Sequence, residues 1–257
     1  MHITIRNLMR LLRAGVFKED LAVEPMSVWK WRQAYKLSLL HGVGNLCWQG
    51  IERLRGQFFL QLPDELLQQW ANATPPRVSA KPESKKLRRI GEELEFTTPT
   101  YRLLQYQYQV AHHILNDGLL LHDLVLMGYY IREHNDEIDY QQLHDWDRSV
   151  GLSRIIELEN LLLTELLGFT PEELLPQETA TDRRLLNYIV NDLGDLQRPR
   201  STQWYFAQGN DIFVHASNSS AMLWQARRSM HYFRYCPAES VTNILTSFAR
   251  SLSQIEE

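Results

Sequence analysis

The chain has 257 residues, 44% hydrophobic and 23% charged, with a formal net charge of −4 and a pI near 6.2. At roughly 150 residues per domain, that length makes one large domain or two small ones. The balance excludes a disordered chain and offers no bulk positive field to attract nucleic acid. Forty leucines stand against 24 valines and isoleucines together, and Gly plus Pro total 22. Leucine suits helices and β-branched residues suit strands, so the expected fold class is all-α. Cys47 and Cys236 are the two cysteines, too few for a disulfide framework or a cysteine-built zinc site. Apolar runs fall short of the roughly 18 residues of a membrane span, and Met1 to Arg6 lacks the marks of a signal peptide. The expectation is a soluble cytoplasmic protein without membrane association.

In chain order, residues 4–14 place Ile5, Leu8, Met9 and Leu12 at helical spacing, and Gly15 reads as the stop. Ser27 caps a second helix carrying Trp29, Trp31, Tyr35, Leu39 and Leu40, which His41-Gly42-Val43-Gly44 breaks before a third with Leu46, Trp48, Ile51 and Leu54. Pro63-Asp64-Glu65 starts a fourth, since Pro and acids suit a first turn. Residues 74–82 hold three prolines and read as a linker, followed by the basic run Lys85, Lys86, Arg88 and Arg89. Residues 92–97 are expected to form one short extended piece. Helical signals then resume: from Thr98-Pro99 to Asn116, from Leu119 to His134, from Asp136 to Val150, from Leu152 to Leu167 with Gly168 as cap, and from Asp182 to Leu193. Residues 194–219 read as a loop, and 221–252 as two helices interrupted at Cys236-Pro237. The expected architecture is a multi-helix bundle of helical hairpins. It divides into an N-terminal helical region (1–73), a Pro-rich and basic linker (74–97) and a C-terminal helical region (98–257).

Chemistry-bearing clusters are few. His112-His113 followed by His122-Asp123 are the candidate metal residues, because histidine and carboxylate together suit several divalent metals. Metal-dependent HD phosphohydrolases are helical and use such ligands, but they need remote third groups, for which His41 and Asp182 or Asp192 would have to serve. Adjacent helical histidines point about 100° apart, so His112 and His113 do not readily share a metal, and interhelical hydrogen bonding is the expected role. Asp145 and Asp147 diverge by about 200° on a helix and cannot chelate one ion. Asp136 and Asp139 suit helix capping. Cys47, between Leu46 and Trp48, is expected to be buried and inert. Lys85, Lys86, Arg88 and Arg89, together with Arg227, Arg228 and Arg234 in the tail, form the candidate anion or partner surface. Their common explanation is a solvated helix face, and the net charge speaks against nucleic acid.

Several short segments carry a resemblance. They are Leu8 to Gly15, Trp31 to Leu40 and Gly50-Ile51-Glu52-Arg53-Leu54; then Thr98 to Leu104, Ala111-His112-His113-Ile114 and Gly118 to Leu124; and finally His134 to Tyr140, Val150-Gly151-Leu152 and Arg227 to Pro237. In this order they resemble the helical flanks of a bacterial family of uncharacterised nucleotidyltransferase-like proteins, often linked with surface-polysaccharide gene sets. In that family a palm lies between the flanks, with a Lys-Gly strand element and an Asp-Ile-Asp pair that binds Mg²⁺ and nucleotide. Here only the 25 residues from Ala73 to Thr97 occupy that place, too few for several strands of 5–6 residues each plus a helix. His122 and Leu126 stand where the family has an Arg and an Asp.

The resemblance therefore implies a non-catalytic helical remnant of a nucleotidyltransferase-like protein, acting through protein–protein interaction with a partner or as a homodimer. It carries over no catalytic residue and no cofactor. The alternative is a divergent Mg²⁺-dependent nucleotidyltransferase, with Glu92, Glu93, Glu95 and Asp211 as its metal carboxylates and a nucleotide bound. An HD-type phosphohydrolase is the third reading.

Overall fold

A computed structural model describes residues 1–55, 62–75, 84–94, 97–116, 118–174 and 183–196, together with Tyr232. Among these residues all regular structure is helical: α1 (Ile3–Val16), α2 (Val28–Leu40), α3 (Gly44–Arg55), α4 (Asp64–Ala71), α5 (Lys85–Glu92), α6 (Pro99–Asn116), α7 (Leu121–His134), α8 (Tyr140–Val150), α9 (Ser153–Leu167) and α10 (Arg183–Leu193). The all-α expectation holds for them. Short 3₁₀ turns at Asn135–Glu137 and Pro171–Glu173 join α7 to α8 and follow α9. No described helix is long and apolar enough to cross a membrane.

The caps follow from the sequence. Ser27 accepts from the Lys30 amide and Asp139 from the Gln142 amide, so each meets an orphan donor of a first turn. Asp136 falls in a 3₁₀ turn instead, and α8 begins four residues later than its sequence signal. The extended piece expected at 92–97 is corrected where it is described: Glu92 is the last residue of α5 and Glu93 is its cap in helical conformation. Ser84 starts that helix by accepting from the Leu87 amide, and burial of Leu87 holds it in place.

Gly15 does not stop α1; it lies inside the helix, where α3 crosses. A Cβ on Gly15 would overlap the Leu46 carbonyl oxygen and stand 2.8 Å from the Gly50 nitrogen, and a Cβ on Gly50 would overlap the Leu11 carbonyl oxygen. The two glycines let backbone meet backbone. Leu8, Leu11 and Leu12 of α1 and Cys47, Ile51 and Leu54 of α3 are consequently buried together.

The segment after α1 is fastened back along it. Buried Asn7 donates to the Glu24 carbonyl at 2.8 Å and accepts from the Glu24 amide at 3.0 Å, while Arg6 and Arg10 both pair with the Glu24 carboxylate. Trp70 of α4 packs edge-on against Trp31 and Tyr35 of α2, and its indole N–H donates to Ser38 Oγ.

On the other side, α6 and α7 form a hairpin, and α9 packs against both of them and against α1. The Asp139 amide donates to Thr100 Oγ1 and the Tyr101 hydroxyl donates to the Leu87 carbonyl, which ties the starts of α8 and α5 to the start of α6. Where α1, α7 and α9 come together, the Arg132 guanidinium lies 4.5 Å from the Phe17 ring centre and 4.1 Å from that of Phe169. It also pairs with Glu19 and Glu173, and Glu19 pairs in turn with Arg13. One continuous apolar core runs through both helical regions that flank residues 74–97.

Gly50→Ala tests the crossing. Its Cβ meets main chain, which cannot rotate away, so the cost should reach about 3 kcal/mol, the upper range of overpacking. Urea unfolding measures it, with exposed Asn187→Ala on α10 as the near-neutral control.

Candidate functional site

The first cluster of polar groups in the interior lies between α6 and α7. Helix α6 carries Gln109, His112 and His113 near its end, and the first turn of α7 carries His122 and Asp123. Asp123 is buried in that first turn. Gln109 Nε2 donates to Asp123 Oδ1 at 2.8 Å, His122 Nδ1 lies 3.3 Å from the same oxygen, and His113 Nε2 lies 3.4 Å from Oδ2. The His112 ring meets that of His113 edge-on at 5.8 Å and stands 6.4 Å from Tyr108. All four residues singled out in the sequence thus occupy one neighbourhood.

A metal centre requires its ligands to aim lone pairs at a shared point about 2 Å away. Here the His113 and His122 nitrogens face the Asp123 oxygens themselves, so the carboxylate takes the central place. Among the described residues no group of three or more His, Cys, Asp or Glu has an arrangement that could hold a metal ion. His41, nominated as a remote ligand, does come close through its backbone: the His122 amide donates to the His41 carbonyl at 3.2 Å. Its ring is turned to α10, where Nε2–H donates to the Leu193 carbonyl at 2.9 Å. Asp192 precedes that carbonyl on α10, and Asp182 lies outside the described residues. The end of α2, the start of α7 and the end of α10 are therefore joined by buried histidine hydrogen bonds.

The second cluster is a pair of acids on successive helices. Asp147, in the last turn of α8, is 2% exposed, and Glu159 of α9 is 0% exposed. The divergence expected of Asp145 and Asp147 is what buries Asp147, leaving Asp145 at the surface. Burial raises the Asp147 carboxyl to about 8. Burial raises Glu159 well above the ordinary carboxylate range, the Asp147 charge adds to this, and the Ala111 backbone amide opposes it. Neither Glu159 oxygen, nor Asp147 Oδ1, has a hydrogen bond of good geometry. Sequence reasoning missed Glu159, although one signal could have found it. It shares the helical spacing of Ile155, Leu162 and Leu166, an apolar stripe that leaves a carboxyl nowhere to go but inward.

The third is the basic face of α5. Lys85, Lys86, Arg88 and Arg89 are all exposed around buried Leu87. Lys86 Nζ donates to the Ser149 carbonyl of α8, and Arg88 pairs with Glu92 one turn on. Arg227, Arg228 and Arg234 lie outside the described residues, as do Glu95 and Asp211. Glu92 and Glu93 sit at a helix end and not on a strand, so the alternation that would have aligned Glu93 with Glu95 is absent from the described half of that pair. Cys47 is buried, and burial pushes its thiol far above the usual range, which leaves no reactive thiolate there.

Compared with protein-family models, with curated proteins and with solved structures, the chain matches none.

Asp123→Ala would leave the Gln109 amide and the His122 ring without their acceptor. Stability should fall by about 2–3 kcal/mol, the cost of losing a buried charged acceptor, whereas Asp123→Asn, which keeps one oxygen, should cost less. Urea unfolding of the two variants side by side provides the comparison.

Proposed function

We propose that this chain is a helical scaffold that works by binding protein, in the first instance a second copy of itself, and not by transferring nucleotide. The observation that carries the reading is at the start of α2: Trp29 is 64% exposed and Val28 beside it is 46% exposed. An indole held on the first turn of a capped helix has little conformational freedom left to lose on association, and tryptophan is among the residues that anchor interfaces. One turn on, Arg32 pairs with Glu65 of α4 at 3.7 Å, both well exposed, which supplies the polar rim that such anchors keep around them.

The interior supports the same reading. Asp123 is buried with Oδ1 bonded to Gln109 and His122 inside the protein, and Asp147 and Glu159 lie where no substrate reaches. The resemblance to the helical flanks of a nucleotidyltransferase-like family agrees with it, because flanks without a palm keep their surfaces and lose their chemistry.

Two measurements test this. Light scattering coupled to size-exclusion chromatography should give a dimer mass at micromolar concentration, and Trp29→Ser should return the chain to monomer; a wild-type monomer at every concentration overturns the reading. Thermal unfolding with Mg²⁺ or Mn²⁺ and a panel of nucleoside triphosphates should leave Tm in place. A nucleotide present at 100 times its Kd would instead add about 2.7 kcal/mol, and would move the nucleotidyltransferase or phosphohydrolase reading to the front.

A further inference from the structure

We propose that the corner joining α8 to α9 is a proton-controlled latch. With Asp147 and Glu159 both protonated the two helices close on α6, and loss of those protons loosens the hairpin while the α1–α3 half of the core stays shut.

The corner itself is tight. Gly151 takes a left-handed conformation, φ +84°, and both its amide and that of Leu152 donate to the Asp147 carbonyl at 2.9 Å. The backbone of Asp147 therefore makes the turn, and its side chain points into the core beside Glu159. Every unsatisfied group at this interface is an acceptor. Asp147 Oδ1, both Glu159 oxygens and, from α6, Gln107 Oε1 are buried without a hydrogen bond of good geometry. Gln107 lies one turn before Ala111 on the same face of α6, and the Ala111 amide is the backbone group that acts on Glu159. A carboxylic acid proton is the donor such a site lacks, whereas two carboxylates would bring repulsion and no partner. The last turn of α8 adds to this, because the negative end of a helix disfavours an ionised Asp147.

The charged groups of α5, α6, α8 and α9 do not relieve it. On α8, Asp145 and Arg148 are exposed, and His144 lies one turn before Asp147. On α9, Arg154 is exposed and Glu157 half-buried. From α6, His112 and His113 belong to the cluster around Asp123. From α5, Lys86 reaches the Ser149 carbonyl and not the acids. None of these makes an ion pair with Asp147 or Glu159 among the described residues.

The direction of the pH response follows from linkage. Asp147 has its folded value raised to about 8 from an ordinary 3.8, so between those limits the closed corner holds a proton that the open corner has released. Closure is complete in acid and weakens as pH rises through that window. The opening equilibrium grows about tenfold per pH unit through the Asp147 window and levels off above about pH 8, and the raised Glu159 carboxyl acts in the same direction.

Hydrogen exchange of the full chain, read by mass spectrometry and corrected for intrinsic rates, tests the latch between about pH 5.5 and 7.5. Protection across 140–163 should fall by at least about tenfold per pH unit, while α1 and α3 keep theirs. Asp147→Asn and Glu159→Gln each preserve shape and remove one titrating group, so each should reduce the slope, and the double variant should abolish it. If the double variant does not fold, the two single variants still decide the matter. The proposal is overturned by protection that is flat with pH, by a slope unchanged in the variants, or by α1 and α3 losing protection in parallel.

Discussion

The whole arrangement depends on one close approach, the crossing of α1 over α3 at Gly15 and Gly50. Helix axes normally stand 8–10 Å apart because side chains keep them there. Two glycines facing main-chain carbonyls remove that spacer, so Leu11 and Leu46 contribute backbone as well as side chain to the contact. Position along the crossing is then fixed by shape, since any other register would put a Cβ into a carbonyl. With α1 held in this way, its remaining faces are committed: one to Glu24 through Asn7, Arg6 and Arg10, another to α9.

Polar groups inside this protein fall into two kinds, and the difference is physical. Asn7, Asp123 and Arg132 are each met by complementary partners: a backbone amide and carbonyl for Asn7, two donors on Oδ1 of Asp123, and two carboxylates and two ring faces for Arg132. Groups satisfied in this way make a buried arrangement specific, because any shift leaves one of them without its partner. Asp147 Oδ1 and both Glu159 oxygens lack a hydrogen bond of good geometry. A buried group without a hydrogen bond costs about 1–3 kcal/mol, and an ionised one costs more, so the pair keeps its protons. The same core thus holds rigid polar joints between α6 and α7 and around Arg132, and a proton-dependent joint at the α8–α9 corner.

These interior commitments shape what remains for the surface to do. Asp123 is engaged by Gln109 and His122, Asp147 and Glu159 are closed off in the core, and the thiol of Cys47 is sealed in the α1–α3 contact. Among the described residues, the groups facing outward include the indole at the start of α2 and the basic side chains around Leu87 on α5. Surfaces of that kind recognise other macromolecules by burial and charge.

Much of the fold was legible in the sequence, because helix boundaries are written in local chemistry. Ser27, Asp139 and Gly168 act within a few residues of themselves, and leucine spacing marked the buried faces of α1, α6 and α9 with no knowledge of what covers them. The sequence also placed the candidate histidines on the right helices and showed that Asp145 and Asp147 diverge. It could not say that Gly15 joins two helices instead of ending one, since a glycine that stops a helix and a glycine that admits a neighbour look alike until the neighbour is present. Nor could it say which of His41, His112, His113 and His122 would meet, or that Asp123 would stand between two of them. Those are contacts across α2, α6, α7 and α10, fixed by packing between elements far apart in the chain. The pairing of Asp147 with Glu159 is of the same kind. Each carboxyl is ordinary in its own segment, and only the folding of α8 and α9 onto α6 removes both from water and sets one beside the other.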